Sequence, residues 1–267
     1  MSAAADSTAA ARRLALQKWR DRVPPLLAVV GLIALWQTII TVLGVPTYIA
    51  PSPGEVLATM IDKAPLLLRN FLPTVAEALA GFVLGNGIAI LIAIGFVHSR
   101  TADKAFFPLA VFINTIPIIA IAPILVLIFG NGYTPKVIIA ALICFFPTLV
   151  NMVRGLQAVS PQALDLMRVL SASKPEILWK IRLQSSLPFL FAALKIASTT
   201  CVIGAIVGEW IGSNFGLGAL IIEATYNFRS SLLYATVLLA ALLSVILFSV
   251  TALVERRLIT WKPTAVH

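Results

Sequence analysis

In this chain of 267 residues 60% are apolar and 12% charged, with a mean hydropathy of +0.98, against roughly 45–50% apolar and about 25% charged in soluble domains. A soluble globule of this make-up would expose large apolar patches, and the mixture, with 16 Pro and 15 Gly, equally excludes disorder, collagen and coiled coil. Two Cys inside apolar runs (Cys144, Cys201) and two His (His98, His267) provide neither a disulfide framework nor metal-ligand spacing, and the net charge of +9 has to be read loop by loop.

In chain order, a basic tail over residues 1–23 comes first. The apolar stretch after it has no small-residue cleavage pattern and runs too long for a signal's apolar region, so no secretory signal is read there. Six apolar windows follow, each near the 20 or so residues that a helix needs to cross a bilayer. They are Pro24 to Leu43, Pro73 to Val97, Ala105 to Phe129, Val137 to Val153, Leu187 to Trp210 and Leu232 to Val254. All are continuous runs without period-two alternation, which predicts helices, an all-α fold and no barrel. Residues 24–254 then form one six-helix transmembrane domain, with a large loop at 154–186 and a second tail at 255–267. Alternate inter-span segments carry 15 and 4 Lys or Arg, which places both termini in the cytoplasm. The basic balance is therefore topology, and no nucleic acid is needed to explain it. Trp19, Tyr48, Tyr133, Trp210 and Trp261 fall near the predicted interfaces, where amphipathic rings are favoured.

The second window holds Gly81-Phe-Val-Leu-Gly85, a small-residue face suited to close helix approach. In the third, Pro117 and Pro123 predict a kinked or broken helix beside Asn114 and Thr115. Asn86, Asn114, Thr115, Thr199 and Glu209 are the candidate groups along a substrate path; each equally suits an interhelical hydrogen bond. Glu77 and Glu209 lie near the outer ends of their windows, where water access is expected, and Lys195 is within snorkelling reach of the other interface. No Ser/His/Asp, Cys/His or paired-carboxylate group assembles at one depth, and no Gly-Lys-Ser/Thr phosphate loop is present. If ATP drives this chain, another subunit binds it.

The 154–186 loop carries two helix starts. Ser160-Pro161 is an N-cap followed by Pro at the first helical position, ahead of Leu164, Met167 and Leu170. Ser173-Lys174-Pro175-Glu176 reads as a capping box ahead of Ile177, Leu178 and Ile181. Short helices with apolar faces suit either a partner's groove or the lipid headgroup layer.

At this loop the sequence resembles the inner-membrane permeases of binding-protein-dependent ABC importers. That family's motif reads Glu-Ala-Ala, three residues, Gly, nine residues, then Ile-x-Leu-Pro; Asp165-Leu166-Met167, Ser171 and Ile181-Arg182-Leu183-Gln184 hold those places. The spacing is kept, while Asp, Ser and Gln replace Glu, Gly and Pro. Pro51-Ser52-Pro53-Gly54-Glu55-Val56, Ile116 to Pro123, Phe129-Gly130-Asn131-Gly132, Phe145-Phe146-Pro147 and Glu209-Trp210-Ile211-Gly212 are similar to the branch serving sulfonates, taurine, nitrate, pyrimidine precursors and riboflavin.

The resemblance implies a six-helix type I importer permease fold (MetI-like), paired with a second permease subunit in a homodimer. It further implies two cytoplasmic ATPases, which bind ATP and Mg so that this chain needs no cofactor, and an external solute-binding protein. The ATPase would be met by Asp165, Leu166, Met167, Arg168, Leu170, Ser171, Ala172, Ser173 and Glu176. Ser in the Gly place leaves open whether the turn after the coupling helix is kept. Gly212, Gly216 and Gly218 would let an external loop fold over the cavity as a gate, or serve a plain connector. A stand-alone secondary transporter or channel also accounts for six spans but leaves the capped helices of the loop without a task. A membrane-embedded lipid enzyme lacks its catalytic cluster. The spans carry no cluster of cations, which favours a neutral or aromatic solute over nitrate or sulfonate.

Overall fold

The computed structural model describes residues 23–24 and 26–260, so Trp19, Trp261 and most of both tails lie outside the described residues. The described residues form helices and turns without strands. α1 (Leu26–Leu43) is apolar, and none of its residues is buried within this chain. Trp36 stacks on Tyr234 at 5.8 Å between ring centroids. α2 (Pro53–Asp62) opens on a capping box in which Glu55 N–H donates to Ser52 Oγ and Ser52 N–H donates to the Glu55 carboxylate.

α3 (Ala64–His98) starts well before the Pro73 at which the apolar window opens. It runs through that proline because its first turns have a partner: Leu67 is buried against Leu220, Ala224 and Leu232. Tertiary packing there outweighs the loss of one backbone hydrogen bond.

The third window breaks as its prolines predict, into α4 (Arg100–Thr115) and α5 (Ile118–Phe129), bent by 94°. The break sits at Ile116-Pro117, where Ile116 is extended as the residue before a proline prefers; Pro123 stays inside α5. Next come α6 (Tyr133–Gln157), α7 (Pro161–Val169) and α8 (Lys174–Ile177). A π-helical turn (Leu178–Arg182) leads into α9 (Leu183–Glu209), and α10 (Leu217–Tyr226) and α11 (Ser230–Leu258) complete the fold.

The core is α6 packed between α3 and α9. Small residues set this approach, since van der Waals contact replaces the hydrophobic drive that lipid removes. A Cβ added at Gly85 would overlap the backbone carbonyl of Ala141, one at Gly81 would overlap the Ala140 methyl, and one at Gly204 would lie 2.7 Å from Ala140 Cα. The small-residue face read in the second window is thus the α3–α6 seam. Gly85→Leu is expected to destabilise the protein by about 1–3 kcal/mol or more, because backbone atoms cannot yield as a flexible side chain does. The check is the apparent melting temperature in detergent; an unchanged value would mean that the helices separate at no cost.

Candidate functional site

α9 separates two ends of the molecule, its 27 residues spanning roughly 40 Å. At one end lies the loop of α7 and α8. Ser160 caps α7, its Oγ accepting from Ala163 N–H at 3.3 Å, and Ser173 and Glu176 form the capping box of α8. Glu176 lies in the 154–186 loop ahead of the apolar span. Its carboxyl is held at about 2 by hydrogen bonds from the Ser173 backbone and hydroxyl and by Lys180. The box therefore contributes fully above the ordinary glutamate range and is lost only as pH falls through about 2.

α7 ends with Ser171 in the left-handed region at φ 53°. Ala172 N–H donates to Met167 O and Ser171 N–H to Arg168 O, both at 2.9 Å, which is a Schellman closure. The turn left open by Ser in the glycine place is therefore made, with serine bearing the strain. Ser171→Gly removes roughly 1–2 kcal/mol of left-handed strain and adds about 0.5–1 kcal/mol of chain entropy. A small net rise in melting temperature is expected, and a fall would mean that the Ser171 side chain holds the turn.

Met167 faces inward, while Leu166, Val169 and Leu170 are 60%, 81% and 66% exposed. Among the described residues nothing covers that apolar face. Asp165 pairs with Arg168 at 2.7 Å on the same helix.

At the other end, residues 210–216 link α9 to α10 and are pinned by a buried polar cluster. Glu77 and Glu209, expected to meet water, are instead 0% and 1% exposed. Packing of α3, α6, α9 and α10 around them closes the access that their depth suggested. Glu209 accepts from Thr74 Oγ1 at 2.6 Å and from Gly218 N–H at 2.5 Å. Thr74 Oγ1 in turn accepts from Leu217 N–H at 2.8 Å, and Asn70 Oδ1 from Gly216 N–H at 2.9 Å.

α10 has no cap of its own at Gly216, so α3 and α9 supply the acceptors for its first N–H groups. Lys136 Nζ lies 3.0 Å from Glu77 Oε1 and donates to Ser213 Oγ at 2.7 Å. Two neighbouring carboxylates are thus faced by one ammonium and by the positive end of α10, worth roughly half a charge. The glycines of this loop are required: Gly216 has φ 117° and Gly212 φ 72°, and a Cβ at Gly216 would overlap the Glu209 carboxylate.

Asn70, Thr74 and Lys136 did not emerge from the sequence reading; Lys136 counted there only as a loop cation. The available signal was Asn70, Thr74 and Glu77 at helical spacing, a polar stripe on an otherwise apolar helix. Among the path candidates, Asn86 is buried and accepts from Thr148 Oγ1 at 2.5 Å, the interhelical alternative. Thr199 donates to Ile196 O at 2.9 Å on its own helix. Asn114 and Thr115 line a cavity of about 290 Å³ at the α4–α5 break, with Phe145 and Phe146 on its far wall. Lys195 pairs with Glu255 at 2.8 Å.

The described residues thus hold a broken third span, a capped two-helix loop and a pinned loop at the opposite end. A family model described as the binding-protein-dependent transport system inner membrane component matches residues 85–260. The chain belongs to that family, the membrane-embedded permease subunits. It is 36% identical to a probable ABC transporter permease protein of Haemophilus influenzae, over 87% of this chain and 95% of that one. It is 33% identical to the formylaminopyrimidine transport permease protein ThiX of Halalkalibacterium halodurans (89% and 95% covered). Identity to the riboflavin transport system permease protein RibX of Chloroflexus aurantiacus is 32% (86% and 87% covered). In fold it matches a chain of the MetNI methionine ABC transporter in an inward-facing conformation, with TM-score 0.60 and 19% identity, covering 73% of this chain and 97% of that one.

Proposed function

We propose that two copies of this permease form the membrane core of an importer, with two cytoplasmic ATPases that bind ATP and Mg and an external protein that delivers the solute. Both termini face the cytoplasm, as the 15 to 4 distribution of basic residues favours. The exposed Leu166, Val169 and Leu170 face of α7 enters a groove of the ATPase, with Asp165 and Arg168 at its rim and the Ser171–Glu176 turn fixing its angle. Closure of the ATPases draws the two loops together, and the rigid α9 carries that motion to the opposite side of the membrane. There Gly212, Gly216 and Gly218 shape the gate loop, held down by Glu209, Thr74 and Asn70.

The solute is a neutral heterocycle of the pyrimidine or flavin kind. The observation carrying this reading is the cavity at the α4–α5 break, which offers the amide of Asn114, the hydroxyl of Thr115 and two phenyl rings and no ionisable group. A sulfonate or nitrate would need a cation there. Two relatives above 30% identity are named for formylaminopyrimidine and riboflavin transport, while the aliphatic sulfonate permease SsuC of Bacillus subtilis is 26% identical.

The test is capture of the complex from native membranes, native mass spectrometry, and ATP turnover with the loaded binding protein. Two permeases with two ATPases, stimulated by formylaminopyrimidine or riboflavin and not by taurine, is the expected result. A permease without ATPases, under conditions that keep known complexes intact, overturns the assembly. Stimulation by taurine alone overturns the solute class.

A further inference from the structure

At the α7/α8 end two cavities, of about 460 and 290 Å³, share Val97 and Arg182. Lys104 of α4 lines the larger, and His98, Arg168 and Lys174 line the smaller. Basic groups from the end of α3, from α4, α7 and α8 and from the π-helical turn thus converge on one groove. Arg168 is engaged by Asp165, and Arg182 donates one N–H to Leu156 O at 2.8 Å, leaving further guanidinium donors. Lys104 and Lys174 make no ion pair among the described residues, and Asp103 is the acid that lines the groove. Gln157 adds an amide to the larger cavity, and the remaining wall is apolar, with Phe96, Val97 and Leu164 there and Ile177 and Leu178 in the smaller.

We propose that this groove binds the phosphate of an anionic phospholipid headgroup. Lys104, Lys174 and Arg182 hold the anion, and Phe96, Val97 and Leu164 line the glycerol and first acyl carbons. The source is a lipid rather than free phosphate because half of the lining is apolar, and a free phosphate gains nothing from it. The position agrees: Val97 and Gln157 lie in the last turns of α3 and α6, helices of bilayer-spanning length whose ends are expected at headgroup level. Basic pockets between helices at this level suit anionic headgroups. The groove uses the Leu164 and Arg168 face of α7, four residues apart, and leaves Leu166, Val169 and Leu170 free. Lipid and a protein partner therefore meet largely different faces of the same helix, with Arg168 at the border between them, and lipid in the groove would brace α7 and α8 against α3 and α4.

The test measures lipid retained on the purified complex by native mass spectrometry, after exchange from phosphatidylglycerol or phosphatidylcholine micelles. The wild type is expected to retain phosphatidylglycerol in preference to phosphatidylcholine. Lys104→Gln and Lys174→Gln are each expected to lower phosphatidylglycerol retention roughly fivefold, the worth of one basic residue near an anionic surface. Lys104→Arg restores retention, and inorganic phosphate does not displace the lipid. Both lysines are exposed, so the variants fold, with unchanged melting temperature as the control. Equal retention by wild type and both Gln variants overturns the site. Full displacement by inorganic phosphate overturns the lipid assignment in favour of a simple anion site. Loss of retention in Lys104→Arg as well would mean that shape, rather than charge, is read.

Discussion

Lys136→Ala is expected to cost about 3–5 kcal/mol, the range for removing one member of a buried ion pair. The Lys136 ammonium is 3.0 Å from Glu77 Oε1, in a pair whose side chains are 9% and 0% exposed. This ammonium is the cation that balances the Glu77 carboxylate. Without it, two neighbouring buried carboxylates are left with the Thr74 hydroxyl and the positive end of α10. The loop is affected as well, because the same ammonium holds Ser213.

The double variant Glu77→Leu/Lys136→Met is expected to be far less damaging than either single change, since a well-packed apolar pair replaces a buried ion pair at little cost. Unfolding midpoints of the two single variants and the double variant form a cycle that reads the coupling. Additive single effects would mean that the two side chains do not depend on one another. Cross-linking rates between residues flanking 212–218 should rise in Lys136→Ala and, by less, in Ser213→Ala, which removes the hydroxyl contact and leaves the charge balance in place.

Asp165→Arg is expected to lower solute-stimulated ATP turnover by about tenfold or more, since coupling energies between sites run to about 1–3 kcal/mol. The side chains of Asp165 and Arg168 are 65% and 74% exposed, so their pair contributes little to folding and its loss should leave the permease intact in the membrane. The substitution also puts two guanidinium groups side by side at the rim of the exposed apolar face. Leu166→Asp is a second probe of the same surface, as this side chain is 60% exposed and carries no core packing. Normal turnover of both variants in the reconstituted complex would refute the docking face, whereas loss of folded protein would show that α7 is needed for stability.

Much of the architecture was legible because it depends on local or periodic properties. Apolar run length marked the spans, and Ser160-Pro161 and the Ser173/Glu176 spacing marked the starts of α7 and α8. Pro117 marked the bend between α4 and α5. Gly81 and Gly85, four residues apart, marked the close seam to α6. Each is decided within one or two turns of chain, where backbone sterics and capping operate.

The extension of α3 through Pro73 and the pinned loop were not local matters. Leu67 stays helical because residues of α10 and α11 cover it, and the Thr74–Glu209 bond joins positions 135 apart. Depth along a span suggested water for Glu77 and Glu209, but exposure depends on what packs beside a helix rather than on how far along it a residue lies. Sequence alone determined a family permease with six apolar segments and a loop carrying two capped helix starts. Only the tertiary structure decided which ionisable groups share one buried site, because pairing there follows from how α3, α6, α9 and α10 meet.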